Sequence, residues 1–369
     1  MNKTSVDILI VALNKIDYDG RLFNFLHTFS KNNFSIATIT IGYPFNFKNN
    51  LKAFTISIDE SSKTIFKTIN FTLNGLKLIN SINPTHIICS DVYSLPLCSI
   101  FKKRYKSKLY YDSREIYSSL ASLSNQSWKQ KLLTAFEKHY IKFVDKIIVT
   151  GELDKEYLSE LFPEKKFSII KNYPSKCNKT EKINLKEVLK IPENSILAVY
   201  QGVLLNGRGL DLAIKSLSSN TRLHLVVIGS GPLEAQYKKL AQDFNVSDRT
   251  HFLGLIQYSQ LLNYTMACDI GLCLIEPISF SYELALPNKL FEYLQAGIPT
   301  IATKLPAIES VFLQYKVGEL VPLSITPKEL ARKIEYVFEN KYDYQIDIKR
   351  GSETFCWESQ EDTILGLLL

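Results

Sequence analysis

The chain has 369 residues, of which 46% are hydrophobic and 22% are charged. These proportions exclude a disordered chain and describe a globular protein long enough to form two hydrophobic cores. The net charge of +7 permits contact with anionic lipid or a phosphorylated substrate without requiring it, and we expect no nucleic-acid partner.

The six cysteines are scattered and form neither a CxxC pair nor a cluster with histidines, which argues against a zinc site and a disulfide framework. The N-terminus runs from Met1 into a strand pattern that contains Asp7, without the long apolar segment and cleavage site of a signal peptide. No window reaches the roughly 18 uninterrupted apolar residues of a membrane span. We therefore expect a cytoplasmic protein whose association with the inner face of a membrane would be peripheral.

The beginning of the chain alternates between strand and helix patterns. Residues 6–13 form a nearly continuous apolar run, typical of a strand buried on both faces of a parallel sheet. Residues 21–31 have helical apolar spacing, and residues 35–41 form a second strand pattern that completes a βαβ unit. Gly20 lies where loop meets helix, as a simple turn residue or as a place where a ligand comes close. Further strand patterns cover residues 54–58, 86–89, 108–111 and 145–150.

Polar residues follow the strand pattern over residues 108–111, in the order Asp112-Ser113-Arg114-Glu115. The carboxyl ends of parallel strands carry the ligand-contacting residues of open α/β sheets. At that position Arg114 would present a planar, permanently charged guanidinium group, which is suited to binding a phosphate or a carboxylate. The alternative is an ion pair of Arg114 with Asp112 or Glu115 that only braces the loop.

Two stretches of this half are basic, residues 102–108 and residues 128–146. The second has an apolar stripe flanked by lysines, and the stripe consists of Trp128, Leu132, Leu133, Phe136, Tyr140, Ile141 and Val144. This pattern favours a core-facing helix with a solvated basic back. The alternative is a helix that lies on an anionic bilayer.

Residues 171–193 are polar and rich in lysine, so we place the connection between two domains there, with the domains at residues 1–175 and 190–350. The second half opens on a strand pattern over residues 195–201. A glycine-flanked loop with the cation Arg208 follows, and then a helix pattern over residues 210–217. Strand patterns recur at residues 223–228 and 269–275. The glycines after the first of these lack the third glycine of a dinucleotide-binding fingerprint.

Residues 286–302 combine a loop, a helix, a turn and a strand. Pro287 suits the first turn of a helix, and Gly297 ends the helix. Asn288 and Lys289 then lie at the positive end of the helix dipole beside free backbone N–H groups, where a phosphate is readily held. Glu292, one turn further, could reach a sugar hydroxyl beside that phosphate. The alternative is an ordinary amphipathic helix with a surface lysine and glutamate.

The run Leu286-Pro287-Asn288-Lys289-Leu290-Phe291-Glu292-Tyr293, with Ala296-Gly297-Ile298-Pro299 after it, resembles the donor-binding half of GT-B glycosyltransferases. The specific likeness is to the retaining glycosyltransferase family four, the group 1 glycosyltransferases. The loop from Gly202 to Gly209 is similar to the family's diphosphate-binding segment. Residues 250–256 resemble the strand and loop around the nucleobase. Asp19-Gly20-Arg21 resembles the loop after the first strand, which faces the donor.

The resemblance implies an α/β protein of GT-B fold, in which two Rossmann-like parallel-sheet domains face a central cleft and residues 351–369 cross back to the N-terminal domain. It implies transfer of a hexosyl unit from a UDP- or GDP-sugar to a hydroxyl of a glycan or lipid-linked acceptor, with retention, in bacterial surface polysaccharide synthesis. Neither a cofactor nor a metal is expected. Cations and the helix N-terminus would stabilise charge on the departing diphosphate.

By this resemblance the donor-binding residues are Gly20, Gly202, Arg208, Leu255, Leu286, Pro287, Asn288, Lys289, Leu290 and Glu292. The expected catalytic residues are Arg208, Lys289, Glu283 and Arg114.

The chain departs from the family pattern at three positions. Arg114 stands where relatives often have histidine, and Val203 stands where they often have a second cation. The acid that often precedes the ribose-binding glutamate by eight positions is Leu284 here, so Glu283 or backbone N–H groups would hold the sugar. Two other functions therefore stay open, a GT-B nucleotide-sugar epimerase and a non-catalytic subunit of a transferase.

Overall fold

The computed structural model describes residues 4–42, 51–59, 61–117, 127–176, 183–283 and 286–368. The chain divides into two compact units, one of Met1–Asn172 with Gln360–Leu369 and one of Tyr173–Ser359. Each unit has its own parallel β-sheet with helices in the connections between strands.

The sheet of the N-terminal unit has seven strands in the order β3-β2-β1-β4-β5-β6-β7. These strands are β1 (Thr4–Val11), β2 (Ile36–Ile41), β3 (Leu51–Ile56), β4 (Ile82–Cys89), β5 (Lys108–Ser113), β6 (Lys146–Val149) and β7 (Lys166–Ile169). The α-helices of this unit are α1 (Gly20–Lys31), α2 (Thr64–Leu76), α3 (Leu95–Tyr105), α4 (Ser127–Ile141), α5 (Glu152–Leu161) and, near the end of the chain, α15 (Glu361–Leu365).

The apolar strand pattern at the beginning of the chain forms β1, which pairs with β2 on one side and β4 on the other. Its central position explains why Ile8 to Val11 are all buried. Helix α1 begins directly after Asp19, whose carboxylate accepts a hydrogen bond from the Leu22 N–H (3.0 Å) and caps the helix. The edge strand β7 is absent from the sequence prediction, since its residues are only half-buried and lack an apolar run.

Helix α4 differs from its prediction. It ends at Ile141 and its fully buried residues are Glu137 and Ile141, while Leu133, Phe136 and Tyr140 are partly buried against the core. The prediction of a core-facing stripe that includes Trp128 and Leu132 is wrong for these two side chains, which are exposed. The reason is that the other sector of the helix packs inward, where the carboxylate of Glu137 accepts a hydrogen bond from the Tyr111 hydroxyl (2.8 Å).

The sheet of the C-terminal unit has six strands in the order β10-β9-β8-β11-β12-β13. They are β8 (Ile196–Gln201), β9 (Leu223–Ile228), β10 (Thr250–Gly254), β11 (Ile270–Cys273), β12 (Thr300–Thr303) and β13 (Gly318–Val321). The α-helices are α6 (Leu185–Val188), α7 (Leu210–Ser216), α8 (Glu234–Asp243), α9 (Tyr258–Thr265), α10 (Phe280–Glu283), α11 (Asn288–Gln295), α12 (Pro306–Gln314), α13 (Pro327–Glu339) and α14 (Gln345–Thr354).

All strand pairs described in both sheets are parallel, which confirms the predicted α/β class with two parallel-sheet units. Every residue of β8 and β9 is buried, as expected for strands with helices on both faces of the sheet. In the part of the chain that the structure describes, no helix is both long enough and apolar enough to cross a membrane.

Two histidines of the C-terminal unit predict an acid-sensitive contribution to stability. His224 of β9 and His251 of β10 stack in parallel, with 3.1 Å between His224 Nδ1 and His251 Nε2. Burial lowers the pKa of His224 from 6.5 to about 4, helped by the charge of His251, and burial also lowers the pKa of His251. The folded state thus binds fewer protons than the unfolded state between these values. The stabilisation is complete above pH 6.5 and is lost as the pH falls towards 4.

We therefore expect the urea midpoint of the wild-type protein to fall more steeply between pH 6.5 and pH 4 than that of His224→Gln. His27→Gln, which changes an exposed histidine of α1, is the matched control and should follow the wild type. Equal pH slopes for wild type and His224→Gln would contradict the prediction.

Candidate functional site

The centre of the candidate site is the side chain of Lys289, in the first turn of α11. Lys289 is only 6% exposed, and its Nζ has no hydrogen-bond partner among the described residues. The ammonium lies 3.9 Å from the ring centroid of Tyr200, on β8. It is also 3.7 Å from the point that a Cβ on Gly202 would occupy. A buried cation without a hydrogen-bond acceptor is costly, so this arrangement favours an anion that binds here and provides one.

The electrostatics around Lys289 agree with that interpretation. Burial lowers the pKa of Lys289 from 10.5 to about 8, and the nearby charge of Arg208 lowers it too, against Cys273 and Glu292. The first N–H groups of α11 have no partner within the helix and lie at its positive end. An arriving phosphate would therefore meet a desolvated ammonium and backbone donors from the same helical turn.

Arg208 is held in the loop between β8 and α7. Its Nε donates to the Tyr282 hydroxyl (2.9 Å), and its guanidinium carbon lies 4.2 Å from the centroid of the same ring. The loop approaches the chain after β11 so closely that a Cβ on Gly209 would lie 2.2 Å from the Leu274 carbonyl oxygen. Gly209 also has a φ of +69°, which favours glycine. These two constraints explain the glycine that follows the cation.

Glu292 lies on the next turn of α11 and is fixed by a chain of polar side chains. The Gln201 side-chain amide, at the end of β8, donates to Glu292 Oε2. The Gln201 amide oxygen in turn accepts a hydrogen bond from the Thr265 hydroxyl of α9 (2.8 Å). Burial raises the pKa of Glu292, while the Gln201 hydrogen bond and the Lys289 charge lower it. Gln201 is itself held by Thr265, so its hydrogen bond to Oε2 also fixes the orientation of the other carboxylate oxygen, Oε1 of Glu292.

Tyr293 fastens α11 to the sheet. Its buried hydroxyl lies 3.1 Å from the Val199 carbonyl oxygen of β8 and 3.2 Å from the Leu272 carbonyl oxygen of β11. The ring fits only because residue 271 is glycine, since a Cβ on Gly271 would lie 2.2 Å from the Tyr293 ring. The helix that carries Lys289 and Glu292 is therefore anchored to two neighbouring strands.

The remaining predicted donor residues lie on several elements of the C-terminal unit. Leu286 and Pro287 precede α11 and are half-buried, and Asn288 is exposed at its first position. Leu290 is fully buried, so its side chain belongs to the core. Its N–H donates to the Pro287 carbonyl oxygen (3.1 Å). Leu255 is exposed just after β10.

The two residues considered for holding the sugar precede α11 in the sequence. Glu283 is exposed at the end of α10, and Leu284 lies outside the described residues.

The other two predicted residues, Gly20 and Arg114, belong to the N-terminal unit. Arg114 donates through Nη1 to Asp19 (2.5 Å) and through Nε to Asp112 (3.1 Å). Arg21 also binds Asp112, through Nε (2.8 Å) and Nη2 (2.6 Å). The bracing ion pair considered from the sequence is thus present and joins the end of β5 to Asp19, which directly precedes Gly20, the first residue of α1. Arg114 Nη2 is buried and has no hydrogen-bond partner among the described residues.

The charges of this cluster are balanced between the arginines and the aspartates. Burial alone would raise the pKa of Asp112, but Arg21 and Arg114 outweigh it and hold that pKa below 3.8. Burial also opposes the charge of Arg114, yet Asp19 and Asp112 raise the pKa of Arg114 well above its usual value. Both groups are therefore charged at neutral pH.

Sequence reasoning missed four side chains of the site in the C-terminal unit, namely Tyr200, Gln201, Thr265 and Tyr282. The position of Tyr200 and Gln201 at the carboxyl end of a strand is a signal that could have found them. Thr265 and Tyr282 meet the site only through contacts across more than 60 residues of sequence. Among the described residues, no group of three or more His, Cys, Asp or Glu side chains is arranged to hold a metal ion.

Part of the chain that contains this geometry matches a known protein family. Residues 181–353, slightly less than half of the chain, match the family model described as glycosyl transferases group 1. The matched segment contains Gly202, Arg208, Lys289 and Glu292, which the resemblance named as donor-binding residues.

Other relatives are distant in sequence, and the solved structures among them are similar in fold. The O-antigen biosynthesis glycosyltransferase WclY of Escherichia coli is 22% identical over 273 residues, which cover 70% of this chain and 73% of WclY. WaaG, a glycosyltransferase involved in lipopolysaccharide biosynthesis, has a TM-score of 0.69 at 15% identity and covers 97% of this chain and 100% of its own. HepE of Anabaena in complex with UDP-glucose has a TM-score of 0.72 at 13% identity, with 98% and 99% covered. The likeness to these structures confirms the predicted GT-B fold.

Proposed function

We propose that this protein is a group 1 glycosyltransferase that moves a hexosyl unit, with retention, from a UDP- or GDP-sugar to a hydroxyl of a glycan or lipid-linked acceptor in bacterial surface polysaccharide synthesis. One observation supports donor binding in this proposal. The Lys289 ammonium is buried without a hydrogen-bond partner in the described chain, at the N-terminus of α11 and one turn from Glu292. The O-antigen relative WclY and the UDP-glucose complex of HepE support the choice of acceptor pathway and donor.

In this proposal the departing diphosphate is stabilised by Lys289, Arg208 and the first N–H groups of α11, without a metal ion or another cofactor. The bond between the anomeric carbon and the diphosphate oxygen breaks, and negative charge grows on the diphosphate in the transition state. A cation that is already desolvated meets this charge without the cost of removing water. Lys289 and Arg208 are therefore expected to act on turnover as well as on binding.

We assign the other donor contacts from the positions of the predicted residues in the fold. Glu292 accepts hydrogen bonds from the ribose hydroxyls. Gly202, which has no side chain next to the Lys289 ammonium, leaves space for the diphosphate. Leu255, with Leu286 and Pro287, contacts the nucleobase, and Glu283 or the N–H groups before α11 hold the sugar. Arg114 is proposed to act on the acceptor side through Nη2.

The direct test is to incubate the protein with radiolabelled UDP- and GDP-hexoses, with and without lipid-linked glycan extracts, and to separate the products. We expect slow release of one nucleoside diphosphate without acceptor and faster release with it, together with label in the glycan. An epimerised nucleotide-sugar would overturn the proposal in favour of an isomerase. No binding of either nucleotide would overturn it in favour of a non-catalytic subunit.

Glu292 and Gln201 yield a prediction about ribose recognition. Glu292→Gln and Gln201→Leu should each weaken UDP binding about tenfold or more, because a hydrogen bond to a charged group contributes about 1.5–3 kcal/mol. Both changes should leave the affinity for 2′,3′-dideoxy-UDP nearly unchanged, since that ligand lacks the hydroxyls. Calorimetry with UDP and with 2′,3′-dideoxy-UDP measures the ratio of the two dissociation constants for each variant.

Gln242→Leu, which alters an exposed glutamine of α8, is the matched control and should retain the preference of the wild type for UDP. If Gln201→Leu discriminates between UDP and the dideoxy analogue as well as the wild type does, Gln201 does not position Glu292.

We also propose that the protein acts in the cytoplasm and docks on the anionic inner face of the membrane through the basic stretch at residues 102–108 and through α4. The exposed side chains of Trp128 and Leu132, beside the exposed Lys129 and Lys131, support this role for α4. This combination of apolar and basic side chains is typical of helices that lie at a bilayer surface.

A further inference from the structure

Helix α2 of the N-terminal unit has an apolar face that no other part of the described chain covers. Ile65, Phe66, Ile69 and Leu73 are between 50% and 64% exposed. At 100° per residue these four side chains fall within an arc of about 100° on the helix surface. Exposed apolar residues are common when single, but a contiguous set of four large ones marks an interaction surface.

The opposite side of α2 already has its partner. Thr68, Phe71 and Gly75 are buried, and α2 approaches α3 so closely that a Cβ on Gly75 would lie 2.3 Å from a methyl group of Leu97. The hydrophobic core thus uses one sector of the helix and leaves a second apolar sector facing solvent. The unpartnered sector is therefore a separate face and not an extension of the core.

The charge around this face is mainly positive, and one negative group, Asp59, lies close enough to Lys67 for their charges to interact. Residues 61–90 contain three lysines, Lys63, Lys67 and Lys77, and neither aspartate nor glutamate. On the helical wheel Lys77 and Lys63 fall about 20° and 60° beyond the edge of the apolar arc, and Lys67 falls about 100° beyond it, about 40° from the buried Phe71. Helix α3, which contacts both α2 and α4, ends in the basic run Lys102, Lys103 and Arg104.

We infer that the Ile65–Phe66–Ile69–Leu73 face of α2 enters the interfacial region of an anionic lipid bilayer, with Lys67 and the flanking Lys63 and Lys77 at the headgroups. Apolar burial supplies the attraction along one arc, and the lysines add electrostatic attraction to anionic headgroups. A second copy of the chain fits less well, because pairing two such faces would bring two sets of lysines together. The inference rests on the proposed membrane association and adds α2 to the surfaces that perform it.

The test measures binding of the full-length protein to sedimenting vesicles of phosphatidylcholine that contain about 30% of the anionic lipid phosphatidylglycerol. Phe66→Ser/Leu73→Ser should reduce the partition coefficient more than tenfold. Leu313→Ser/Ile346→Ser, which changes two exposed apolar residues of the C-terminal unit, should leave it unchanged. In a Trp128→Phe background, Phe66→Trp should show a blue shift of its fluorescence on binding and quenching by brominated lipid.

Three results would overturn the inference. They are equal partitioning of Phe66→Ser/Leu73→Ser and wild type, equal binding to vesicles of phosphatidylcholine alone, and a wild-type dimer in sedimentation that this double variant dissociates. UDP binding in solution separates this inference from the donor proposal. The double variant should bind UDP like the wild type, and a protein that binds vesicles through α2 but no nucleotide would refute only the proposed transferase.

Discussion

Replacing Lys289 by methionine should weaken UDP binding by about tenfold to a hundredfold, because a hydrogen bond from a cation to a phosphate contributes about 1.5–3 kcal/mol. Uridine, which lacks the diphosphate, should bind the variant nearly as well as the wild type. Isothermal titration calorimetry with the two ligands tests this difference. A similar loss for uridine and UDP would show that Lys289 does not contact the diphosphate.

The same substitution should stabilise the free protein. The folded pKa of Lys289, about 8, lies below its ordinary value of 10.5, so the folded state binds fewer protons between these values and the ammonium is unfavourable below pH 8. At pH 7 a shift of this size corresponds to about 3 kcal/mol against the ammonium. Lys289→Met should therefore gain up to about 3 kcal/mol at pH 7, a gain that declines as the pH rises from 8 towards 10.5.

Urea unfolding at pH 7 and at pH 10 measures that gain. Lys349→Met, at an exposed position of α14, is the control and should change neither stability nor nucleotide affinity. A destabilised Lys289→Met protein would contradict the assignment of a strained, desolvated cation. Wild-type protein should also take up protons when it binds UDP near pH 8, which calorimetry in two buffers detects.

Replacing Asp112 by alanine should destabilise the N-terminal unit by about 3–5 kcal/mol, because it leaves the buried arginines without their shared carboxylate. The Arg21→Met/Asp112→Leu double variant should recover part of this loss, since it removes both charges of the fully buried pair. Urea denaturation of the single and double variants gives the coupling energy.

The comparison for this cluster is the partly exposed pair of Lys215 and Asp211 on α7, whose charges lie 3.1 Å apart. Asp211→Ala should cost about 0.5 kcal/mol or less, as exposed pairs within a helix do. A loss near 0.5 kcal/mol for Asp112→Ala as well would show that the buried cluster does not hold the loop of α1 to β5.

Much of the candidate site in the C-terminal unit could be predicted because its information is local in sequence. The strand, glycine loop and helix around Arg208, and the Pro287 to Gly297 helix, show their type within about 20 residues through apolar spacing, proline and glycine. The helix N-terminus then places Lys289 and Glu292 one turn apart without further knowledge of the fold.

The parts that could not be predicted depend on distant contacts. Gln201 and Glu292 lie 91 positions apart, and Asp19 and Arg114 lie 95 apart, so no local pattern reveals either pair. The exposure of some apolar side chains could not be predicted from the sequence for a different reason. The apolar residues of α2 and the residues Trp128 and Leu132 of α4 have the spacing of core residues, and only the packing of neighbouring helices decides which sector is covered.

Tyr293 has a consequence for how the site responds to its ligand. Its hydroxyl joins α11 to β8 and β11, so the Lys289 ammonium and the Glu292 carboxylate share one rigid frame before any nucleotide arrives. Binding then loses little conformational entropy, which is the advantage of preorganisation. Backbone amides of β8 and α11 should therefore exchange slowly with deuterium in the free protein and change little when UDP binds.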